Sequence, residues 1–234
     1  MTVGFHTASA GMYSAQRAMD VTANNIANIS TDGYKEDNPS FADLLYTNVK
    51  EREAAPELKV GHGSKLGKTD TVFEGAGITE TGLAQDYALT DARNFFAVRA
   101  ADGRTLYTRD GRFGLSNRGG NFYLADSSGN LVLGQDGRTI RVTDANAKQN
   151  MGVFTFRNLD GLEKSGNSCY VQTDRSGPAE AVRGAEIKQG FLEPSGTDFA
   201  TEISNVILQQ RAYDMNAKMV AMTDEVMQTV NSLH

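Results

Sequence analysis

The sequence predicts an α+β protein: N- and C-terminal heptad-patterned helices forming a coiled-coil-like layer, with a central antiparallel β-rich domain. Three observations lead there. Apolar or small residues return at alternating spacings of three and four from Phe5 onward. Glycine is concentrated in the middle, with 20 of the 24 lying between Gly61 and Gly190. After Gly196 neither Gly nor Pro occurs up to His234, which leaves a long segment free of the usual chain breakers. The divisions that follow are a helix over 1–33, an extended or β connecting region over 34–93, an antiparallel β domain over 94–193 and a second helix over 194–234.

The first helix is carried by Phe5, Ala8, Met12, Ala15, Met19, Thr22, Ile26 and Ile29, which form a heptad seam. Gly33, following the polar Ser30-Thr31-Asp32, supplies a left-handed stop, so the helix is about 25 residues and about 38 Å long. Residues 34–93 are rich in charge and glycine without a clean period and read as extended segments. In the middle, Phe95–Val98, Leu106–Thr108, Phe122–Leu124, Ile140–Val142, Val153–Phe156 and Tyr170–Gln172 are strand cores. Asp102-Gly103, Asp110-Gly111, Gly119-Gly120 and Asp136-Gly137 are hairpin-type turns between them.

The last helix starts from a cap at Thr197 or Asp198, with Glu202 in the first turn where the helix dipole favours a negative charge. Its pattern is doubled. Phe199, Val206, Tyr213, Val220 and Met227 recur every seven residues, while Leu208, Ala212, Met215, Met219, Met222, Val226 and Leu233 form another stripe on a roughly opposite face. A helix packed on one domain needs a single stripe. Pairing the two terminal helices covers one seam of each and leaves the second stripe exposed, and a long exposed apolar patch marks an interface. Head-to-tail docking of such a surface builds an open helical filament when the rotation does not close. The pattern also allows a helical hairpin folded back on its own β domain.

Composition narrows the function. With 23 Lys plus Arg against 29 Asp plus Glu, the net charge of −6 argues against a nucleic-acid binder. No stretch approaches the 18 or so apolar residues that cross a bilayer, and the N-terminus lacks the basic start and apolar core of a secretory signal, its first arginine being Arg17. The single cysteine, Cys169, excludes an internal disulfide and reads as a small buried hydrophobe.

Candidate chemistry is sparse. His6, His62 and His234 lack metal-ligand spacing, so neither a metal nor a cofactor is expected. Ser64 lacks the nucleophile-elbow pattern. Gly67-Lys68-Thr69 ends a glycine-rich run whose register is wrong for a phosphate loop, and Asp126–Asn130 lacks the ligand set of a calcium loop and reads as a turn. Asp136 or Glu163 serves a glycosidase only if the fold brings a second carboxylate near. Six of the eight methionines, Met12, Met19, Met215, Met219, Met222 and Met227, lie in the terminal helices, where they suit adaptable packing.

Ala23-Asn-Asn-Ile-Ala-Asn-Ile-Ser-Thr-Asp-Gly-Tyr-Lys35 resembles the N-terminal signature of bacterial flagellar axial proteins, the rod and hook family. Asn24, Asn25, Ala27, Asn28, Thr31, Gly33, Tyr34 and Lys35 stand where that pattern puts them. Gln210, Arg211, Ala212 and Tyr213, followed by Asn216 and Lys218, resemble the family's C-terminal helix motif. Tyr107–Phe113 resembles its hairpin, and Gly190–Glu193 its lead into the last helix. Asp91–Asn94 and Gly196-Thr197 depart from it, and the pattern is most like the distal-rod subtype.

The resemblance implies a non-enzymatic subunit exported unfolded through the flagellar type III apparatus, which needs no cleavable signal peptide, and built into the basal body. Its partners would be further copies of itself, neighbouring rod and hook proteins and the export apparatus, with no nucleic acid and no membrane insertion. Phe5, Met12, Met19 and Ile26, with Val206, Tyr213 and Val220, are the expected helix-packing anchors, and the motif residues the expected joint between helix and β domain. The alternatives are a proximal-rod or short hook-like subunit and, from another class, a monomeric carbohydrate binder or hydrolase.

Overall fold

A computed structural model describes residues 3–49, 58–144 and 146–232. Leu233 and His234 lie outside the described residues, as does part of the predicted connecting region. The element order is an N-terminal helix, α1 (Val3–Ala27), a series of short antiparallel strands, and a C-terminal helix, α2 (Phe199–Ser232). The chain divides into two compact units, one drawn from Met1–Ala27, Asp37–Asp70 and Asp198–His234 and the other from Asn28–Glu36 and Thr71–Thr197.

The first unit pairs the two helices antiparallel, Asn25 meeting Glu202 and Gly11 meeting Asn216. The strands of this unit are Asp37–Asp43, which lies against Ser64–Thr71, and Tyr46–Val49, which pairs with Leu58–Gly61 from Tyr46↔Gly61 to Val49↔Leu58. Ser14 Oγ donates to the Ser64 carbonyl at 2.7 Å and ties this region to α1. Gly67-Lys68-Thr69 lies inside the strand Ser64–Thr71 rather than at a strand-to-helix turn, and Lys68 pairs with Asp70 at 2.8 Å.

The second unit is organised around the strand Asn94–Arg99. Its apolar run is continuous because both faces are covered. Phe96 and Val98 enter one core with Tyr87, Leu106, Val132 and Val153, while Phe95 and Ala97 enter another with Tyr107, Phe156 and Tyr170. In the second core Phe95 meets Phe156 and Tyr170 edge-on at 5.8 and 5.6 Å, the arrangement that the ring quadrupoles favour. One edge of the strand pairs with Thr105–Thr108; the other is shared by Leu131–Val132 and Val153–Thr155. Cys169 is buried in the first core.

Three of the four predicted turns join paired segments: Asp102-Gly103 between Asn94–Arg99 and Thr105–Thr108, Gly119-Gly120 between Gly114–Arg118 and Asn121–Ala125, and Asp136-Gly137 inside the Leu133↔Thr139 bridge. Asp110-Gly111 is different, because Thr105–Thr108 and Gly114–Arg118 do not pair with each other. Gly111 instead lies against Tyr87, accepting the Tyr87 N–H at 3.0 Å, so the pair is a crossing between sheet segments. Asp126 accepts the Ser128 and Asn130 N–H groups at 2.9 and 2.8 Å, the turn that the sequence suggests.

Asp110 gives this unit a pH dependence. Burial is the main cause that raises its carboxyl to about 6, the Asp32 and Asp126 charges add to it, and the Arg112 backbone N–H and guanidinium oppose it. A raised folded-state value stabilises below the unfolded value and is lost as pH rises through about 6. Between pH 7 and pH 5 the unit is expected to gain about 1 kcal/mol from this group. Denaturant unfolding followed by tyrosine fluorescence at the two pH values measures it, and Asp110→Asn, which keeps the acceptor for the Arg112 N–H, removes the increment.

Candidate assembly surface

Each unit contains a buried polar knot on the predicted motif residues. In the helical unit Asn25 is buried; its Nδ2 donates to Glu202 Oε1 at 2.7 Å and to the Asp37 carbonyl at 2.9 Å, and its Oδ1 accepts the Asp37 N–H at 2.9 Å. One amide thus fixes the end of α1, the start of a strand and the first turn of α2. Glu202, read from the sequence as a partner of the helix dipole, is also buried and is the only buried residue of α2. Asp198 caps that helix: its carboxylate accepts the Ala200 and Thr201 N–H groups and the Thr201 hydroxyl, the last at 2.6 Å, and these bonds hold its pKa below the usual carboxylate range.

In the β unit the knot is ionic. Glu193 Oε1 accepts Lys35 Nζ at 2.8 Å, and its Oε2 accepts Arg109 Nε at 2.7 Å, with the Arg109 and Glu193 side chains no more than 2% exposed. Arg109 also donates to the carbonyls of Asp91 and Asn94 at 2.6 and 2.5 Å, and Lys35 to that of Glu74. Burial pulls the Lys35 ammonium below its ordinary value, and the Glu193 charge opposes that pull. Gly33 is placed by the same knot. α1 ends at Ala27, well before Gly33, so the predicted helix stop is corrected. Gly33 has φ +65°, donates to the Glu193 carbonyl at 2.8 Å, and a Cβ there would fall 2.5 Å from the backbone of Arg109 and Asp110.

The remaining motif residues are less uniform. Tyr34 is buried beneath Lys164, whose Nζ stands 5.0 Å from its ring centre, and the Thr31 hydroxyl donates to Asn28 at 3.2 Å. Asn24, Ala27, Gln210, Arg211 and Lys218 are exposed, while Ala212 and Asn216 are half-buried.

The helix contact runs over smaller side chains than the predicted seam. Ala8, Ala15, Ala18, Thr22 and Asn25 are buried, whereas Phe5, Met12, Met19 and Ile26 are half-buried. Gly11 belongs to the close approach, since a Cβ there would meet the Asn216 side chain at 2.7 Å. Thr22 and Gln209 exchange hydrogen bonds at 3.2 and 3.0 Å. Val206, Tyr213 and Val220 are half-buried, sharing one side of α2 with Gln209 and Asn216. Ala8, Ala15 and Thr22 belong to the predicted seam, while Gly11, Ala18 and Asn25, which lie on the same side of the helix, do not, and the larger side chains beside them mask that signal in the sequence.

Apart from the half-buried Ala212, the described residues of the second stripe stay in the open. Leu208 is 64% exposed and Met215, Met219, Met222 and Val226 between 47% and 63%, with Ile207 and Val230 also exposed. Among the described residues no helix is long and apolar enough to cross a membrane, and no cluster of His, Cys, Asp or Glu is placed to hold a metal ion. What this arrangement offers chemically is a long apolar contact surface.

Comparison with known proteins agrees in three segments. Residues 5–35 match the family model of flagella basal body rod proteins, residues 91–155 that of the flagellar hook protein FlgE/F/G D1 domain, and residues 188–233 that of the flagellar basal body rod FlgEFG protein C-terminal region. The chain is 30% identical to the flagellar basal-body rod protein FlgG of Bacillus subtilis over 100% of its own length and 99% of that protein. It is 32% identical to FlgG of Agrobacterium fabrum over 96% of each chain, and 26% identical to the flagellar hook-basal body complex protein FlhP of Bacillus subtilis over 97% of each.

Removing the acid from the ionic knot tests its structural weight. Glu193→Gln leaves Lys35 and Arg109 buried without their counter-charge, and the β unit is expected to lose about 3–5 kcal/mol of stability in denaturant unfolding.

Proposed function

The chain belongs to the flagellar basal-body rod and hook family, and we propose that it is a structural subunit of the rod, of the distal type, which polymerises into a helical tubular shaft and transmits motor torque to the hook. Similarity to FlgG proteins over nearly the whole chain supports the subtype. The observation that carries the mechanism is the bare stripe of α2, with Leu208 64% exposed and Met215 63% exposed. A surface of this kind is covered in the working state, and in a homopolymer its cover is another copy.

In this reading the terminal helices form a coiled-coil-like inner wall. The small side chains that line the contact between α1 and α2 leave Phe5, Met12, Met19 and Ile26 half-free to pack against neighbours, and Val206, Tyr213 and Val220 hold the helix pair. The motif residues Asn25, Gly33 and Lys35 fix the two units internally. The exposed Asn24, Gln210, Arg211 and Lys218 provide polar contacts to adjacent subunits. The partners are further copies, neighbouring rod and hook proteins and the flagellar export apparatus, through which the chain reaches the basal body unfolded. A short hook-like subunit is the second reading, supported by the likeness to a hook-basal body complex protein.

Deleting the gene is expected to give basal bodies that stop partway along the rod and carry no hook, as seen by electron microscopy; intact rotating flagella would overturn the rod assignment. Leu208→Asp is expected to leave folding within about 0.5 kcal/mol, since the side chain is exposed, and to abolish rod formation. Normal rods built from that variant would remove Leu208 from the subunit contact.

A further inference from the structure

Among the described residues the sulfur atoms span the range from buried to exposed: Met12 and Met19 are half-buried, and Met227, on the other stripe of α2, is 38% exposed. Cys169 is 4% exposed, and burial pushes its thiol up to about 11, so it is shielded from oxidants and from ionisation. Met151 is 3% exposed inside the β core. Met215, Met219 and Met222, in contrast, are 63%, 47% and 51% exposed. Their spacings of four and three keep them on one side of α2, together with Leu208 and Val226. A thioether in water reacts with peroxide, and the resulting sulfoxide is polar and chiral. Leu208, Ala212 and Val226, which share the stripe, offer no side-chain donor, so a sulfoxide oxygen covered against this face exchanges water for largely apolar surroundings.

We infer that Met215, Met219 and Met222 form an oxidation-sensitive modification site, whose conversion to sulfoxides by a peroxide holds the subunit unassembled. The inference rests on the reading that a second copy covers this stripe. In each conversion the O–O bond of hydrogen peroxide breaks and an S–O bond forms. The sulfur gives up two electrons, the peroxide is reduced to water, and no proton is gained or lost overall. Reversal needs a methionine sulfoxide reductase, which draws its electrons from thiols. Once docked, the sulfurs are covered and out of reach, so the sensitive interval lies between folding and docking.

The test uses the full-length protein. It is treated with dilute hydrogen peroxide, mapped by peptide mass spectrometry, and assayed for polymerisation by sedimentation. Sulfoxides are expected at Met215, Met219 and Met222, as well as at the exposed Met227 of the other stripe, and not at the buried Met151, with an unchanged circular dichroism spectrum. The concentration needed for polymerisation is expected to rise at least about tenfold and to recover after reductase treatment. The combined variant Met215→Leu, Met219→Leu, Met222→Leu is expected to polymerise with or without peroxide. Oxidised wild-type protein that polymerises normally, or a leucine variant inhibited as strongly as wild type, overturns the inference and leaves the assembly reading standing. Untreated wild-type protein that fails to polymerise at any concentration overturns the assembly reading and this inference with it.

Discussion

The β unit depends on a single buried carboxylate. Glu193 is 2% exposed, and two cations from distant parts of the chain meet on it, Lys35 and Arg109. An unpaired ion in that position would carry a large desolvation cost, so each partner is tolerable only with the others in place. The backbone inherits that dependence. Arg109 reaches the carbonyls of Asp91 and Asn94, at the approach to and start of the central strand, and Gly33 donates to the Glu193 carbonyl. The close approach at Gly33 leaves no room for a Cβ, so the same knot dictates both the charged residues and the glycine.

The helical unit solves a different problem with neutral groups. Small side chains let α1 and α2 come close, and the polar pairs Asn25–Glu202 and Thr22–Gln209 fix their register. The price is apolar bulk: the large residues of both helices are left half-buried or exposed, most of all along Leu208, Met215, Met222 and Val226. A helix pair built in this way has little hydrophobic core of its own and a large apolar surface still to cover.

Much of this was legible beforehand. The terminal helices followed from spacing, the β-rich middle from glycine and apolar runs, and the exposed stripe from the doubled pattern of α2. The polar knots were harder to foresee because they are properties of pairs. Arg109 and Glu193 sit within the motif-like runs Tyr107–Phe113 and Gly190–Glu193, yet nothing local says that they meet at 2.7 Å across 84 positions. Glu202 reads in the sequence as a first-turn acid that suits the helix dipole, and nothing local shows that it is buried against Asn25. The left-handed conformation of Gly33 is legible in the sequence, but its purpose is the approach to Arg109 and Asp110, which belongs to the tertiary fold.

The contacts that close the helix pair have a consequence in time. Asn25 and Glu202 are 177 positions apart, and Thr22 and Gln209 are 187 apart. Contacts this remote are slow to form, because the chain between them must be brought to closure first. For a chain that emerges N-terminus first, α1 has no mate until nearly every other residue has appeared. The β unit, whose last segment ends at Thr197, has all of its residues before α2 begins. The order of the chain therefore acts as a clock: the part with its own core can settle first, and the bare apolar stripe comes into being last.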